Sequence, residues 1–262
     1  MAILHPRPTP RQATQPPVIL DNPLGTDGFE FVEYTAPDTV SFGLLFESMG
    51  FTRVARHRSK DASLYRQGDI NFIVNAEPGS LAQEFARQHG PSACAMAFRV
   101  KDAAWALRHA LSVGAKEVKG TAGPMGLNIP ALEGIGGSLI YLVDRCTSPT
   151  IYDIDFIMES EIERFPAGVG LVEIDHLTHN VRKGQMAHFC EFYRRVFNFR
   201  EQQHFDINGD YTGLTSRALS APCGKIRIPI NESKTVRAEY ERFNAAGGNP
   251  SLLSAGVTWT VL

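Results

Sequence analysis

Three times along this chain a strand-like stretch is followed by an amphipathic helix and then by extended runs, and that recurrence limits the fold more than any single residue does. In the first pass Phe29, Phe31 and Tyr34 punctuate Glu30 and Glu33, which predicts a strand. Pro37 and Asp38 stop it, and Asp38 suits a helix N-cap. Phe42, Leu45, Phe46 and Met49 then fall at i, i+3, i+4 and i+7, one apolar helical face, with Gly50 where a C-cap needs positive φ. Strands are predicted over 52–56, 63–66 and 70–75. In the second pass Cys94, Met96, Phe98 and Val100 alternate with Ala95, Ala97 and Arg99. Asp102 caps a helix that Gly114 ends, and extended runs at 116–119 and 138–144 flank a Gly-rich loop. In the third, Val172, Ile174, His176 and Thr178 share one face of a strand, and Met186, Phe189, Cys190, Tyr193 and Phe197 share one face of a helix. Asn198 takes the position of Gly50, and strands follow over 200–206, 211–216 and 225–230.

The copies start near residues 28, 93 and 172, spaced too widely and too unevenly for a solenoid. They fit an α+β protein of large βαβββ modules that pack in pairs. Two copies make one closed unit, whereas a third alone leaves an open sheet edge and a bare, apolar inner face. The expected division is a proline-rich flexible extension at 1–24, a two-module N-terminal barrel at 25–145, a linker at 146–170 with a short strand over 152–156, a third module at 171–234, and a tail at 235–262 that does not continue the pattern.

Composition removes several classes of function. With 43% hydrophobic and 21% charged residues the chain can bury a core, and a net charge of −2 without clustered Lys and Arg argues against nucleic acid. No eighteen-residue apolar run predicts a membrane span, and the N-terminus lacks the apolar core of a secretory signal. Cys94, Cys146, Cys190 and Cys223 form no CxxC pair, so reduced thiols in a cytoplasmic protein are expected.

Among residues able to carry chemistry, His176 stands out as a ligand for a divalent metal, set against the alternative of a core histidine bonded to backbone. His179, three residues on, must point to the opposite face of a strand, as a surface group or a support for the ligand. His188 and His204 read as solvated, and His57 as part of a basic loop. The run Gly134-Ile135-Gly136-Gly137 precedes a strand, so it reads as a tight connection and not a phosphate loop.

Several segments in one order then become recognisable: 174–180 (IDHLTHN), 197–200 (FNFR), 210–216 (DYTGLTS) and 228–232 (IPINE), preceded by 28–31 (GFEF), 57–60 (HRSK), 64–68 (LYRQG), 97–102 (AFRVKD) and 152–156 (YDIDF). Together they resemble bacterial 4-hydroxyphenylpyruvate dioxygenase, from about Asp21 to Lys234. The resemblance implies the vicinal-oxygen-chelate fold of βαβββ modules, here an N-terminal barrel plus an incomplete C-terminal one. It implies Fe(II) held by two histidines and a carboxylate, with a 2-oxo acid substrate and O2 meeting at the metal to give homogentisate and CO2 in tyrosine and phenylalanine catabolism. His176 matches the first histidine of that triad, and Ser216 and Asn231 match positions lining the substrate pocket. The second histidine and the glutamate belong to a fourth module. No histidine follows His204 here, and the last glutamate is Glu241 in unlike sequence, so a C-terminally truncated member, inactive alone, is expected. Alternatives are a hydroxymandelate synthase-like dioxygenase and a non-catalytic binding module of the same fold. Neither nucleic acid nor membrane is an expected partner, and self-association into a homo-oligomer is compatible with all three readings.

Overall fold

The computed structural model describes residues 21–120, 127–208, 213–233 and 256–257. The first module runs β1 (Phe29–Thr35), α1 (Val40–Ser48), β2 (Thr52–His57), β3 (Ala62–Gln67) and β4 (Ile70–Asn75). After α2 (Leu81–His89) comes the second, with β5 (Ser92–Arg99), α3 (Ala103–Ser112), β6 (Ala131–Glu133) and β7 (Leu139–Val143). The linker holds α4 (Ile151–Asp155) and β8 (Phe156–Met158). The third module contains β9 (Leu177–Val181), α5 (Met186–Phe197), β10 (Arg200–Asn208), β11 (Gly213–Ser220) and β12 (Arg227–Ser233), followed by β13 (Gly256–Val257).

Two sheets result, ordered β6-β7-β5-β1-β4-β3-β2-β8 and β10-β11-β12-β9-β13. Their centres match. β1 pairs in parallel with β4 and antiparallel with β5, while β9 pairs in parallel with β12 and antiparallel with β13. In the second sheet the two residues of β13 therefore occupy the side of β9 that β5 occupies on β1, so this edge, expected to be open, carries Gly256 against Thr178 and Val257 against Leu177.

Each side of the first sheet has its own apolar layer. The outer layer packs strand residues such as Val32, Tyr34 and Phe72 against Phe46, Phe85 and Ala106 of the helices and continues into the third module through Tyr193, Phe197 and Phe199. Phe98, fully buried, joins the halves, with ring centroids 5.8 Å from Phe29, 5.3 Å from Phe197 and 6.2 Å from Phe199. The inner layer, inside the open barrel, holds Phe31, Val54, Leu64, Ile73, Val143 and Phe156. β1 serves both layers because a register shift between Phe29 and Phe31 lets the two rings face opposite sides despite their even spacing.

Several expectations need correction. The 152–156 segment is helical up to Asp155, because Thr150 and Asp153 form a reciprocal capping box that satisfies the first turn. The strand begins only at Phe156, where β8 extends the sheet beside β2. The run at 116–119 forms a single bridge, Glu117 to Leu132. The third module's strand starts at Leu177, so His176 stands just ahead of it. Leu24, ahead of the predicted start of order, is buried, and residues 1–20 of the predicted extension lie outside the described residues. The predicted caps Asp102 and Asn198 are as read: Asp102 Oδ1 accepts from Trp105 N at 2.7 Å, and Asn198 is left-handed at φ 55°. The Gly134–Gly137 run is the predicted tight connection, a 3-10 turn joining β6 to β7. Among the described residues no helix is long and apolar enough to cross a membrane.

One amide fastens the end of the linker. Gln67 Oε1 accepts from Val169 N at 2.7 Å and Leu171 N at 3.1 Å, while its Nε2 donates to Met49 O. Gly168 passes over this side chain at φ 58°, where a Cβ would meet Gln67 Cδ at 2.4 Å. Only glycine satisfies both constraints.

Candidate functional site

The third module's sheet exposes an inner face opposite α5. Along β9, Leu177, His179 and Val181 are buried, and Thr178 and Asn180 alternate with them. The register Ser216–Asn231–Asn180 runs straight across β11, β12 and β9, so these three side chains share one row. Asn231 Nδ2 donates to Asn180 Oδ1 at 3.3 Å, and Ser216 is 8% exposed. The face expected to be broadly apolar thus has a polar row through its middle.

His176 lies at the entry to β9, on the same side as Thr178 and Asn180 by strand parity. Its Nδ1 is 2.6 Å from Asp175 Oδ2, and Asp175 Oδ1 accepts from Arg227 Nη1 at 2.6 Å. With the proton on Nδ1, the ring donates a hydrogen bond to Asp175 and is held in one orientation, and Nε2 keeps its lone pair. His176 is therefore not a core histidine bonded to backbone.

His179 is neither a surface group nor a support for His176. It is 4% exposed in the outer layer, its Nε2 2.8 Å from the Tyr193 hydroxyl, and burial pushes its pKa down to about 4. His188 and His204 are exposed, as predicted. His57 is half-buried: its Nδ1 accepts from the backbone N–H groups of Ser59 and Lys60, and its ring meets Phe156 edge-on at 5.1 Å.

Among the described residues no three His, Cys, Asp or Glu side chains are grouped to hold a metal ion. One imidazole held by Asp175 does not fit the three-donor site that ferrous iron requires.

The inner face of the first barrel carries a polar group that sequence reading missed. Glu33, on β1, is 6% exposed, and Asn75 Nδ2 donates to its Oε1 at 2.6 Å. Asn75 stands on β4 where Asn231 stands on β12, since Val74 pairs with Tyr34 and Ile230 with His179. The matching of the two repeats could have found it: aligning 29–34 with 174–179 sets Glu33 against Thr178, an inward position.

Repeated βαβββ modules, helices outside and a concave inner face lined with polar groups, define a protein of the vicinal-oxygen-chelate class. Residues 20–157 match the family described as hydroxyphenylpyruvate dioxygenase, HPPD, N-terminal. The chain belongs to the hydroxyphenylpyruvate dioxygenase family. It is 60% identical to hemolysin VllY of Vibrio vulnificus (strain CMCP6) over 227 residues, 85% of this chain and 64% of that protein. It is 54% identical to 4-hydroxyphenylpyruvate dioxygenase of Pseudomonas sp. (strain P.J. 874), over 86% of this chain and 64% of the relative. The chain thus spans under two thirds of the length of these relatives. Among solved structures, a xylose isomerase-like TIM barrel/4-hydroxyphenylpyruvate dioxygenase fusion protein superposes with a TM-score of 0.69 at 34% identity, covering 87% of this chain and 36% of that one. A triple mutant of 4-hydroxymandelate synthase from Streptomyces coelicolor gives 0.68 at 18% identity, over 80% of this chain and 64% of that one, a likeness of fold alone.

Proposed function

We propose that this chain carries the N-terminal barrel and the first half of the catalytic barrel of a 4-hydroxyphenylpyruvate dioxygenase, the cytoplasmic enzyme that turns 4-hydroxyphenylpyruvate and O2 into homogentisate and CO2. The observation that carries the reading is the 54% identity to the Pseudomonas enzyme over 227 residues, with His176 and the Ser216–Asn231 pair at the positions expected to meet metal and substrate. In it, His176 is the first Fe(II) ligand, held by Asp175, and Ser216 and Asn231 offer hydrogen bonds to the polar ends of the 2-oxo acid. Iron, when bound by a complete ligand set, supplies the activation of O2. The described residues provide one of three donors, so this chain should neither retain stoichiometric iron nor form homogentisate.

Two measurements test this. Iron analysis and oxygen uptake on the purified chain, given Fe(II) and 4-hydroxyphenylpyruvate, should both read background. Alanine at the position equivalent to His176 in the Pseudomonas enzyme should abolish turnover, while alanine at the equivalents of Ser216 or Asn231 should lower kcat/KM about tenfold or more. Homogentisate production by the chain alone, or an unaffected histidine variant, would overturn the assignment.

A further inference from the structure

The first barrel carries a half-open cavity that the dioxygenase reading leaves without a task. Its polar floor is the Glu33 carboxyl, which receives a hydrogen bond from Asn75 Nδ2 at 2.6 Å and has the Tyr141 phenol as a polar neighbour in the same lining. Burial pushes the Glu33 pKa up, against the pull of Asn75, the Lys60 charge and Tyr141. A carboxylate has about four acceptor positions, so the Asn75 donor leaves capacity for a ligand. The space beside it measures about 130 Å³ and is walled by Phe31, Ile73, Ile151 and Phe156; its lining also includes Lys60, His57 and the buried Asp155, whose Oδ1 accepts from Leu127 N at 3.0 Å. An apolar cavity of about 150 Å³ accepts a benzene ring, so this one is sized for a single six-membered ring. It shares Glu33, Lys60, Asn75 and Tyr141 with an adjoining recess of about 720 Å³, which has room for a ring substituent and for entry.

The opposite end of the barrel closes itself: the Glu30 carboxylate pairs with Arg99 at 2.5 Å, and Arg66, 2% exposed, bonds Asn71 and stacks over Tyr152. At the Glu33 end the polar groups face open volume instead. Asn75 also stands where Asn231 stands in the second sheet, so both sheets present an asparagine to their inner face at the same register.

We propose that this cavity is a binding site for a single-ring hydroxylated aromatic acid, whose hydroxyl donates to Glu33 beside Tyr141 and whose carboxylate pairs with Lys60. The ring lies between Phe31 and Phe156. The assignment is independent of the dioxygenase reading, because none of these residues belongs to the third module.

The test uses the full chain with isotope-labelled isoleucine methyls and 4-hydroxyphenylacetate as the probe. Saturable shifts are expected at Ile73 and Ile151 and not at Ile228 or Ile230, which report the third module. Phenylacetate, without the hydroxyl, and tyramine, with an amine for the carboxylate, should each bind about tenfold more weakly. Glu33→Leu and Tyr141→Phe should weaken the probe by about the same factor, with unchanged Ile228 and Ile230 signals showing that the fold persists. Absence of saturable shifts at Ile73 and Ile151 would overturn the proposal, as would equal affinity for all three probes. Should a variant fail to fold, the ranking of the probes on the unmodified chain still decides.

Discussion

The His179 imidazole and the Tyr193 hydroxyl meet at 2.8 Å inside the apolar layer between β9 and α5, and His179 Nδ1 has no partner among the described residues. Two polar groups thus satisfy each other in a place where neither can reach water. Tyr193→Phe strands the imidazole and should cost about 1–3 kcal/mol, read as a lower urea midpoint.

The same pair makes stability depend on pH. Burial holds the native His179 pKa at about 4, below its ordinary 6.5. Between those values the unfolded chain takes up a proton that the native chain refuses, so this contribution is intact above pH 6.5 and lost as pH falls towards 4. The full difference is about 3 kcal/mol. Urea unfolding from pH 7.5 to 4.5 should show this slope, and His179→Leu should flatten it; an unchanged slope in the variant would assign the effect elsewhere.

Gly168→Ala should be among the most disruptive single-methyl changes in the chain. The new Cβ would meet Gln67 Cδ at 2.4 Å and the Gly50 carbonyl at 2.5 Å, at a φ of 58°. The left-handed backbone alone costs an alanine about 1–2 kcal/mol, and the clash adds to it. Because Gln67 also holds Val169 and Leu171, the change should release the linker, seen as faster amide exchange at those two positions.

At Asn198 the ranking of substitutions is the prediction. The residue ends α5 at φ 55° and its Nδ2 donates to Asp21 O at 2.6 Å. Asn198→Gly loses that bond but keeps the backbone, whereas Asn198→Ala loses both, and should be less stable than the glycine variant by about 1 kcal/mol in thermal or urea unfolding.

The four thiols should react in sequence. Cys94 and Cys190 are buried, and Cys146, half-buried, has its pKa pushed up to about 12 by burial and the neighbouring Glu30. At pH 8 its thiolate fraction is about one in ten thousand. Alkylation followed by peptide mapping should label Cys223 first, Cys146 slowly, and Cys94 and Cys190 only after denaturation.

Much of this was legible in the chain because strand alternation and helix faces are local. The Phe29–Tyr34 alternation, the Asp102 cap and the left-handed Asn198 each report a constraint acting within a few residues. His176 stood out as a possible ligand from the residues alone, whereas Ser216 and Asn231 were found through resemblance, since their row exists only once β11, β12 and β9 align. What escaped had distant causes. α2, which no expectation covered, is fixed partly by Gln83 reaching Thr35, Ala36 and Asn75. His179 read as a surface group or a support for the ligand because odd spacing sends it to the face opposite His176, and only α5 packing on β9 buries that face. Glu33 looked like the wet side of a strand, yet that side faces the barrel's interior.

Phe98 belongs to both parts of the molecule at once, touching Phe29 on one side and Phe197 and Phe199 on the other. Cutting the peptide somewhere in 159–170 would sever the covalent tie without parting the aromatic seam. Each piece set free would carry an unshielded ring face into water, so the fragments should co-migrate on a sizing column until denaturant separates them.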